Sequence, residues 1–589
     1  MCGIAGVFEL DPRRPVSREV VGSMVDAVRH RGPDDDGFFF ADGIGLGMCR
    51  LSIIDVAGGK QPLCDESGNV VVMQNGEIYN YRELRAALLR RGHRFATESD
   101  TEVIAHLYED AGTDFARSLN GMFAIALFDR KRRRLVLARD RLGKKPLFVH
   151  ADGERVVFGS EMKSLLRTRL FRTGVDLGAL HDYLSFNFVP PPATIFDAIR
   201  EVAPGAMLVV EDGAVQEERY WELRVGQERP WDRSRADEFR ALFRDAVALR
   251  LRADVPVGLY LSGGVDSSAV AWAVAERKHG PTDAFAIGFD SAEFDETPGA
   301  TEVARELGLP LHVLRSGDEL LSELPRAIRH AEQPHGDASF LPMLALAGEA
   351  SRFLKVVLTG EGADETLGGY GWHAAAPYNT RDPWDAVRER FEGHAVFRHG
   401  EKTALEHGAL LSAGRDRDSA TAVRDRLERA RGTDPISQTL FVDTTLLLPG
   451  NNLVKADRMG MACGLELRCP FLDYRLVELA FTIPGSDRIA NGEGKRPLRE
   501  TLAPVLPSAA SRPKRMFGVP LRDWFRSSEH PLLRLLSVDR PRRLDEWIDP
   551  RGVARLLEEH RSAAADHTRK LRALLALAVW TEEFSTSLS

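Results

Sequence analysis

The sequence is poor in cysteine. Its 589 residues contain five, Cys2, Cys49, Cys64, Cys463 and Cys469, and no two of them form a CxxC pair. This spacing excludes a zinc site built from cysteine pairs and offers no disulfide framework. We therefore expect reduced thiols.

Long apolar runs and an excess of positive charge are also lacking. No apolar run is long enough to cross a bilayer, and charged residues follow the start too soon for a secretory signal, so we expect a cytoplasmic protein without a membrane partner. Lys and Arg number 79 against 87 Asp and Glu, a net charge of −8 that argues against a nucleic-acid partner. The one basic run, residues 130–134, separates two apolar runs and predicts a solvated hairpin turn.

The most informative stretch is LSGGVDSS, residues 261–268. It follows an apolar, strand-like run and precedes a breaker-free run that predicts a helix. Gly263 and Gly264 allow a tight turn close to a ligand, and the new helix offers unpaired N–H groups and the positive end of its dipole. The pattern predicts a phosphate site. It lacks the lysine of the GxxxxGK[ST] loop, because Asp266 and Ser267 stand in its place.

The same stretch resembles the pyrophosphate loop, SGGxDS, of enzymes that split ATP between its α and β phosphates and transfer AMP to a substrate oxygen. The resemblance implies that the loop holds the leaving pyrophosphate and that Asp266 binds Mg²⁺. The alternative is a glycine turn whose serines only cap the following helix.

Cys2 directly follows the initiator methionine and is small enough for that methionine to be removed. The freed α-amine, with an ordinary pKa of about 7.7–8.0, could accept the proton of its own thiol, so that one residue supplies both nucleophile and base. The alternative is that Cys2 is a buried structural cysteine without a catalytic role. A papain-like pair of Cys2 with His30, His93 or His106 is the second catalytic scheme, which an uncleavable N-terminal extension would distinguish.

Four motifs follow Cys2 in the order and spacing of the class II glutamine amidotransferase domain, a family that residues 2–210 resemble throughout. They are HRGPD at 30–34, RLSIID at 50–55, QNGEIYN at 74–80 and ESDTE at 98–102. The resemblance implies the N-terminal nucleophile fold, a sandwich of antiparallel sheets flanked by helices.

The residue types in these motifs suit attack of a thiolate on the glutamine amide. The oxyanion needs preorganised donors, which the Asn75 side chain and the Gly76 backbone N–H can supply. Arg50 suits a bidentate grip on the α-carboxylate of glutamine, and Glu77 and Asp100 can hold its α-ammonium. Asn75 would thus contact glutamine as well as the oxyanion.

The sequence becomes polar and rich in Gly and Pro between residues 211 and 237, where we place the domain junction, and the second domain is predicted over residues 235–589. Apolar residues 239, 242, 243, 246 and 247 then predict a helix that covers a sheet. Strands at 285–289 and 354–358, alternating with helices, indicate a parallel α/β sheet with its ligands beyond the carboxyl ends of the strands. Thr297 is predicted to cap the helix that Pro298 opens.

The TGEGADE stretch, residues 359–365, follows one of these strands and is therefore predicted to lie in the active site. Gly360 and Gly362 let the backbone approach a nucleotide, and Glu361 and Asp364 bring carboxylates near phosphates that need a metal between them. The final 25 residues, including Leu571, predict a helix packed on the core.

From Leu259 to about Trp524 the chain resembles the synthetase domain of the glutamine-hydrolysing asparagine synthetase family, B type. The resemblance implies that Asp266 and Asp364 bind Mg²⁺, that Glu361 is important for forming the acyl-adenylate, and that Lys455, within VKADRM at 454–459, stabilises the departing pyrophosphate. The implied ATP-binding residues are Leu261, Ser262, Gly263, Gly264, Asp266, Ser267, Ser268, Ile287, Thr359 and Gly360. CPFLD at 469–473 and KRMFG at 514–518 fit the family with substitutions. The chain departs from it at Thr366, His312 and Gln333.

These observations predict an amide ligase in which Cys2 releases ammonia from glutamine and the second domain adenylates a carboxylate with Mg²⁺ and ATP. Ammonia, guided by a protected tunnel that the family implies, then gives an amide, AMP and pyrophosphate. Aspartate is the expected acceptor, and another carboxylate of secondary metabolism or cell-surface chemistry is the alternative. A tRNA-modifying enzyme is disfavoured by the acidic pI, and an inactive glutamine-binding scaffold by the intact catalytic positions. A homodimer is left open.

Overall fold

The structure is a computed structural model that describes residues 2–277, 282–375, 377–514, 518–527, 530–537 and 542–584. Residues 515–517 of the predicted KRMFG motif and the last five residues of the predicted final helix lie outside this part.

The strands fall into two groups along the chain. The first group is β1 (Cys2–Glu9), β2 (Asp35–Ala41), β3 (Ile44–Arg50), β4 (Leu63–Cys64), β5 (Val70–Ile78), β6 (Gly121–Asp129), β7 (Arg134–Arg139), β8 (Phe148–Ala151), β9 (Arg155–Gly159), β10 (Arg200–Glu201), β11 (Ala206–Glu211) and β12 (Ala214–Arg219). The second is β13 (Val257–Tyr260), β14 (Ala284–Gly288), β15 (Leu311–Arg315), β16 (Val356–Leu358) and β17 (Glu466–Arg468).

Helices surround both groups. Those before residue 370 are α1 (Arg18–Ala27), α2 (Tyr81–Arg91), α3 (Glu102–Ala111), α4 (Met162–Arg167), α5 (Leu177–Phe186), α6 (Arg233–Arg250), α7 (Val265–Ala275), α8 (Thr297–Leu307), α9 (Leu324–Ala331), α10 (Phe340–Ala350) and α11 (Ala363–Leu367). The later ones are α12 (Gly371–Ala375), α13 (Trp384–His394), α14 (His399–Leu405), α15 (Gly408–Gly414), α16 (Thr421–Arg429), α17 (Pro435–Val442), α18 (Leu453–Met461), α19 (Tyr474–Ala480), α20 (Gly485–Arg488), α21 (Arg496–Leu502), α22 (Pro507–Ala510), α23 (Leu521–Ser527), α24 (Pro550–Arg561) and α25 (Thr568–Glu583).

The first twelve strands form two antiparallel sheets of six, ordered β10-β8-β9-β1-β3-β2 and β12-β11-β7-β6-β5-β4. Side chains alternate along each strand, so β1 turns Ile4 and Phe8 towards the other sheet and Ala5 and Val7 towards the helices. Both faces are therefore buried, and the predicted sandwich is confirmed. The basic run forms the turn between β6 and β7, as predicted.

The remaining five strands form a parallel sheet ordered β15-β14-β13-β16-β17. Its central strand β13 pairs with β14 and β16, with Leu259 opposite Ala284 and Leu358. Helix α6 buries Phe239, Phe243 and other members of the apolar face that the sequence predicts, and it packs against α7, α19 and α21 of this domain. The predicted parallel α/β domain is confirmed.

Two helix predictions have different outcomes. Helix α8 begins at Thr297 itself, so the prediction of Thr297 as its N-cap is wrong. The reason is that Asp295 Oδ1 accepts hydrogen bonds from both the Thr297 backbone N–H (3.0 Å) and its hydroxyl (2.7 Å), which draws Thr297 into the helix. Helix α25 packs into the core as predicted, with Leu571 fully buried.

Within the described residues, no helix is long and apolar enough to cross a membrane.

Candidate active sites

Cys2 opens the first central strand of the sandwich and is 4% exposed. Its backbone N–H donates to Asn75 Oδ1 at 3.2 Å, and its carbonyl accepts from Arg31 Nε at 3.1 Å. Burial raises the pKa of the Cys2 thiol, opposed by the Leu51 backbone N–H and the Arg50 guanidinium. A buried thiol with a raised pKa needs a base to become a nucleophile.

Asn75 and Gly76 lie side by side in β5, which pairs with β6. Asn75 Nδ2 lies 3.4 Å from Ser160 Oγ, so the Asn75 amide is held between this hydroxyl and Cys2. Gly76 has φ +148°, and a Cβ there would lie 2.0 Å from the Met122 carbonyl oxygen. Only glycine fits this position, which supplies a fixed backbone N–H beside the Asn75 amide.

Arg50 is the register partner of Cys2 across β1 and β3. Its guanidinium donates to the carbonyls of Ile54 at 3.0 Å and Asp55 at 2.8 Å, which fixes its orientation although it is buried. The strand pairing and these two contacts together explain how one buried cation comes to stand beside the thiol.

Two buried carboxylates complete this cluster. Among the described residues Glu77 Oε2 has no hydrogen-bond partner, whereas Asp100 Oδ2 accepts from Gln74 Nε2 at 2.7 Å and from the Ile78 N–H at 2.8 Å. Burial and the nearby Asp100 raise the pKa of Glu77 well above its usual range, and burial raises the pKa of Asp100 to about 6. An ammonium group brought by a ligand would relieve both shifts.

The three histidines of the papain-like alternative contact carboxylates. His30 Nε2 lies 3.1 Å from Glu161 Oε1, and the His93 and His106 rings lie among the side chains of Glu66, Glu109 and other acids. Among the described residues, the groups with the largest effect on the pKa of the Cys2 thiol are the Leu51 backbone N–H, the Arg50 guanidinium and the Glu77 carboxylate. This arrangement favours the N-terminal scheme.

The second site is a cavity of about 830 Å³ at the carboxyl ends of β13, β14 and β16. The predicted ATP-binding residues that line it are Leu261, Ser262, Gly264, Asp266, Ser267, Ile287, Thr359 and Gly360. Within the described chain Gly263 and Ser268 are not part of its lining: the Gly263 carbonyl accepts from Arg512, and Ser268 is buried in α7. Gly263 has φ +76°, and a Cβ there would meet the Gly299 carbonyl carbon at 2.3 Å.

Lys455 reaches the cavity from α18, and its Nζ lies 3.1 Å from Glu361 Oε1. Burial lowers the pKa of Lys455, but Glu361 and Asp337 more than offset this and raise it above its usual value. Lys455 is therefore a charged ammonium inside a low-dielectric cavity, where it acts strongly on any nearby anion.

Asp266 and Asp364 face each other across the cavity, joined by a lysine that the sequence reasoning missed. Lys495 Nζ lies 2.6 Å from Asp266 Oδ2 and 2.6 Å from Asp364 Oδ1, and Lys514 Nζ lies 2.8 Å from Asp364 Oδ2. Burial raises the pKa of Asp364, but the two lysines hold it well below its usual range. Lys495 follows the glycine-rich turn Gly492-Glu493-Gly494, which is the signal that could have identified it.

These two carboxylates fit a hard divalent cation. Asp266 Oδ1 is buried and, in the described part of the chain, has no hydrogen-bond donor. Two converging carboxylates, one with such an oxygen, are the donors that Mg²⁺ takes at nucleotide sites.

The far end of the cavity is polar and aromatic. A π-helical segment, Asp443–Asn452, brings Asn451 and Asn452 to its wall, opposite Tyr370 and Trp372. Beneath them Glu365 Oε1 accepts from the Tyr370 hydroxyl and from Asn452 Nδ2, each at 2.5 Å. Burial and the neighbouring Asp364 raise the pKa of Glu365 to about 8, so this acid is largely neutral at pH 7.

The family departures fall outside this lining, as far as the described residues go. Thr366 Oγ1 donates to the Gly362 carbonyl at 2.7 Å, and His312 on the edge strand β15 pairs with Asp283 at 2.9 Å. Gln333 lies instead at a small cavity beside Asp457. The departures therefore do not alter the cavity walls.

Buried charges connect the two sites. Arg31, whose Nε holds the Cys2 carbonyl, also contacts Asp457 of α18 at 2.9 and 3.0 Å. Arg468 of β17 lies 3.7 Å from Glu77 while bonding Glu466 at 2.6 Å. The backbone of the first site and the helix that carries Lys455 are thus held in one network.

An antiparallel sandwich that begins with a buried cysteine, joined to a parallel domain with a nucleotide-type loop, defines a class of two-domain glutamine-dependent amide ligases. Two protein-family models agree with this class. The model of the glutamine amidotransferase domain matches residues 1–221, and the model of asparagine synthase matches residues 238–582. The chain belongs to the asparagine synthase family, as an enzyme that uses glutamine as amido donor.

Three relatives illustrate the similarity. Asparagine synthetase [glutamine-hydrolyzing] 1 of Bacillus subtilis is 33% identical over 98% of this chain and 96% of its own length. The putative asparagine synthetase of Mycobacterium tuberculosis is 34% identical over 98% of this chain and 97% of its own length. Amidase chry2 of Gibberella zeae is 30% identical over 89% of this chain and 90% of its own length.

Proposed function

We propose that this enzyme converts aspartate to asparagine, taking nitrogen from glutamine and releasing AMP and pyrophosphate from ATP. The observation that carries the proposal is the cavity itself, in which the glycine loop, Asp266, Glu361 and Lys455 meet beside a polar pocket. The names of the Bacillus and Mycobacterium relatives support aspartate as the acceptor.

In the first domain the Cys2 thiolate attacks the amide carbon of glutamine, and its proton passes to the α-amine freed by methionine removal. The oxyanion accepts hydrogen bonds from Asn75 Nδ2 and the Gly76 N–H, each worth about 2.7–4 kcal/mol of barrier. Collapse expels ammonia, and water then releases glutamate from the thioester. Arg50 holds the α-carboxylate of glutamine, and the α-ammonium of glutamine lies between Glu77 and Asp100.

In the second domain an oxygen of the acceptor carboxylate attacks the α-phosphorus of ATP, and pyrophosphate leaves. Lys455 stabilises the charge that develops on pyrophosphate, and Glu361 keeps the Lys455 ammonium in position at 3.1 Å. Asp266 and Asp364 would hold Mg²⁺, which supplies charge neutralisation for the phosphates. Ammonia then attacks the acyl-adenylate carbonyl, and AMP leaves.

Ammonia must reach the acyl-adenylate unprotonated, which favours a route through the domain interface. Arg31 and Lys145 are buried there and both contact Asp457, at 2.9 and 3.2 Å respectively. We propose that the passage runs alongside this network to Lys455.

A second acceptor class rests on the apolar side of the same pocket. Tyr370 and Trp372 stack at 4.3 Å between ring centroids, and Met343 and Leu447 also line the cavity. These groups suit a larger acid than aspartate. The Gibberella relative, at 30% identity, is named an amidase and not an asparagine synthetase.

A pyrophosphate-release assay across acids, with ATP, Mg²⁺ and ammonium, tests the proposal. We expect release with aspartate, asparagine by mass spectrometry, and a rate at least about a thousandfold lower with succinate, because a site built for the α-ammonium leaves its buried partners unpaired when that group is missing. Release with a larger acid but none with aspartate would replace aspartate by that acid. ADP in place of AMP would overturn adenylation altogether.

A further inference from the structure

A cluster of two imidazoles and two carboxylates lies in the glutaminase domain and has no part in the chemistry above. Glu66 belongs to the turn between β4 and β5, His93 follows α2, and His106 and Glu109 lie one turn apart on α3. One ligand atom from each of these four residues lies within 4.8 Å of all the others.

The distances within the cluster suit one small cation. His106 Nδ1 lies 2.8 Å from Glu66 Oε2 and 3.3 Å from Glu109 Oε2, and His93 Nδ1 lies 3.5 Å from Glu66 Oε1 and 3.6 Å from Glu109 Oε2. Zinc bonds of about 2.0–2.1 Å in a tetrahedron place neighbouring ligand atoms about 3.3 Å apart. The four measured distances lie on either side of this value, with Glu66 facing His106 through Oε2 and His93 through Oε1.

Each imidazole also has a carboxylate behind it. His93 Nε2 lies 3.1 Å from Asp110 Oδ1, and His106 Nε2 lies 3.6 Å from Glu102 Oε1. Metal-binding histidines characteristically give their second nitrogen to a carboxylate, which fixes the tautomer and orients the ring. Asp110 orients the His93 ring in this way, whereas His106 Nε2 lies beyond hydrogen-bond distance of Glu102, and His106 is positioned instead by its Nδ1, 2.8 Å from Glu66.

The charge around the rings favours a cation as well. Four carboxylates lie around the two rings, those of Glu66, Glu102, Glu109 and Asp110. Arg91 lies 2.9 Å from Asp110, on the outer side of His93. A divalent ion between the glutamates would offset the repulsion among these acids.

We propose that Glu66, His93, His106 and Glu109 bind one Zn²⁺ ion. Two nitrogens and two carboxylate oxygens are a donor set that zinc accepts, and four protein ligands leave no open position, which is typical of a structural site. The ion would join the turn that leads into β5, the segment between α2 and α3, and α3 itself. The turn leads into β5, which carries Asn75 and Gly76, and the segment between α2 and α3 carries Asp100, so the metal would stabilise the glutamine site from outside.

Metal binding is measured on the full-length protein after dialysis against a chelator, by titration with ZnCl₂ in a calorimeter and by elemental analysis. We expect one Zn²⁺ per chain. His93→Gln and Glu66→Gln, which avoid the fully buried His106, should weaken binding at least a hundredfold, whereas Asp110→Asn should weaken it about 10–100-fold through the ring of His93.

His150→Gln is the matched control, because His150 also pairs with a carboxylate in the same domain, Asp152 at 3.3 Å, but lies outside the cluster. It should bind zinc like the unaltered protein. Zn²⁺ should raise the midpoint of thermal unfolding for the unaltered protein and His150→Gln but not for His93→Gln.

Equal zinc binding by the unaltered protein and both ligand variants would place the ion elsewhere and overturn the proposal. The proposal would also be overturned if the unaltered protein bound zinc no more tightly than His93→Gln does.

Discussion

Carboxylates at the two candidate active sites have pKa values shifted in opposite directions, upward for Glu77 and Asp100 and downward for Asp364. In the first, Glu77 and Asp100 have raised pKa values, and among the described residues the one cation within 4 Å of either carboxylate is Arg468, 3.7 Å from Glu77. In the second, Asp364 has a lowered pKa because Lys495 and Lys514 contact it at 2.6 and 2.8 Å.

This difference follows from the ligands that each site receives. Glutamine brings its own ammonium, so a site with uncompensated acids is completed by its substrate. ATP brings only negative charge, so its site carries cations that pair with aspartates until phosphates and Mg²⁺ arrive. The first site is assembled before binding, and the second must exchange partners during binding.

The largest expected effect separates the two sites completely. Cys2→Ala should lower glutamine-dependent amide formation at least about a thousandfold, because no other group can form the thioester. Synthesis from ammonium salts should remain near its original rate, since the second cavity is untouched. Amide product is measured with each nitrogen source.

Glutaminase activity retained by Cys2→Ala would refute the nucleophile assignment. Cys64→Ala is the control, because Cys64 is exposed on the same domain and should change neither reaction.

The converse change should disable the second site alone. Lys455→Ala removes the ammonium that stabilises departing pyrophosphate, and amide formation from either nitrogen source should fall about 100–1000-fold. Glutamine hydrolysis should persist. Lys570→Ala, which removes a lysine paired with Glu401 at 2.6 Å in the same domain, should leave both rates unchanged. A loss of glutaminase activity equal to the loss of ligase activity would contradict the independence of the two sites.

Local patterns predicted part of this architecture, because the run before Leu261, the two glycines and the helix after Gly264 are neighbours in sequence. The sandwich was predicted instead from the resemblance of residues 2–210 to a known domain. The one-residue error at Thr297 has a local cause, since Asp295, two residues earlier, accepts the hydrogen bond from the Thr297 backbone N–H.

Contacts between distant segments could not be predicted in this way. Lys495 and Asp266 are 229 residues apart, and only the tertiary fold brings the ammonium to the carboxylate. The same holds for Arg468 and Glu77, which belong to different domains. No local pattern marks such a pair, because its energy depends on burial that the sequence does not display.

A pH dependence sharpens the comparison on the glutaminase side. Asp100 has a pKa of about 6 in the free protein and must be ionised to hold the glutamine ammonium, whose charge lowers that pKa on binding. Below pH 6 the proton must leave before glutamine binds, so the KM for glutamine should rise about tenfold per pH unit, an effect of about 1.4 kcal/mol for each unit. KM is measured between pH 5 and 8 by glutamate release.

Asp100→Asn should have a higher KM that loses the rise below pH 6 that belongs to Asp100 and keeps only the pH dependence of Glu77. An unaltered protein with a flat KM below pH 6 would show that Asp100 does not hold the substrate.

The smallest expected effect concerns Glu365 in the second site. Its pKa of about 8 lies above the usual 4.5, so the fold favours the protonated acid. The stability that this group contributes is therefore fully present below pH 4.5 and is lost as the pH rises towards 8. Glu365→Gln resembles the neutral acid in shape, so it should change the thermal midpoint by only a few degrees near pH 5 and become the more stable form relative to the unaltered protein as the pH rises. Thermal unfolding at pH 5, 7 and 8.5 measures this crossover. If the variant instead loses stability relative to the unaltered protein as the pH rises, Glu365 is buried as an ion. The end of the cavity beside Glu365 would then carry one more negative charge. Such a charge would favour an acceptor with a cationic group.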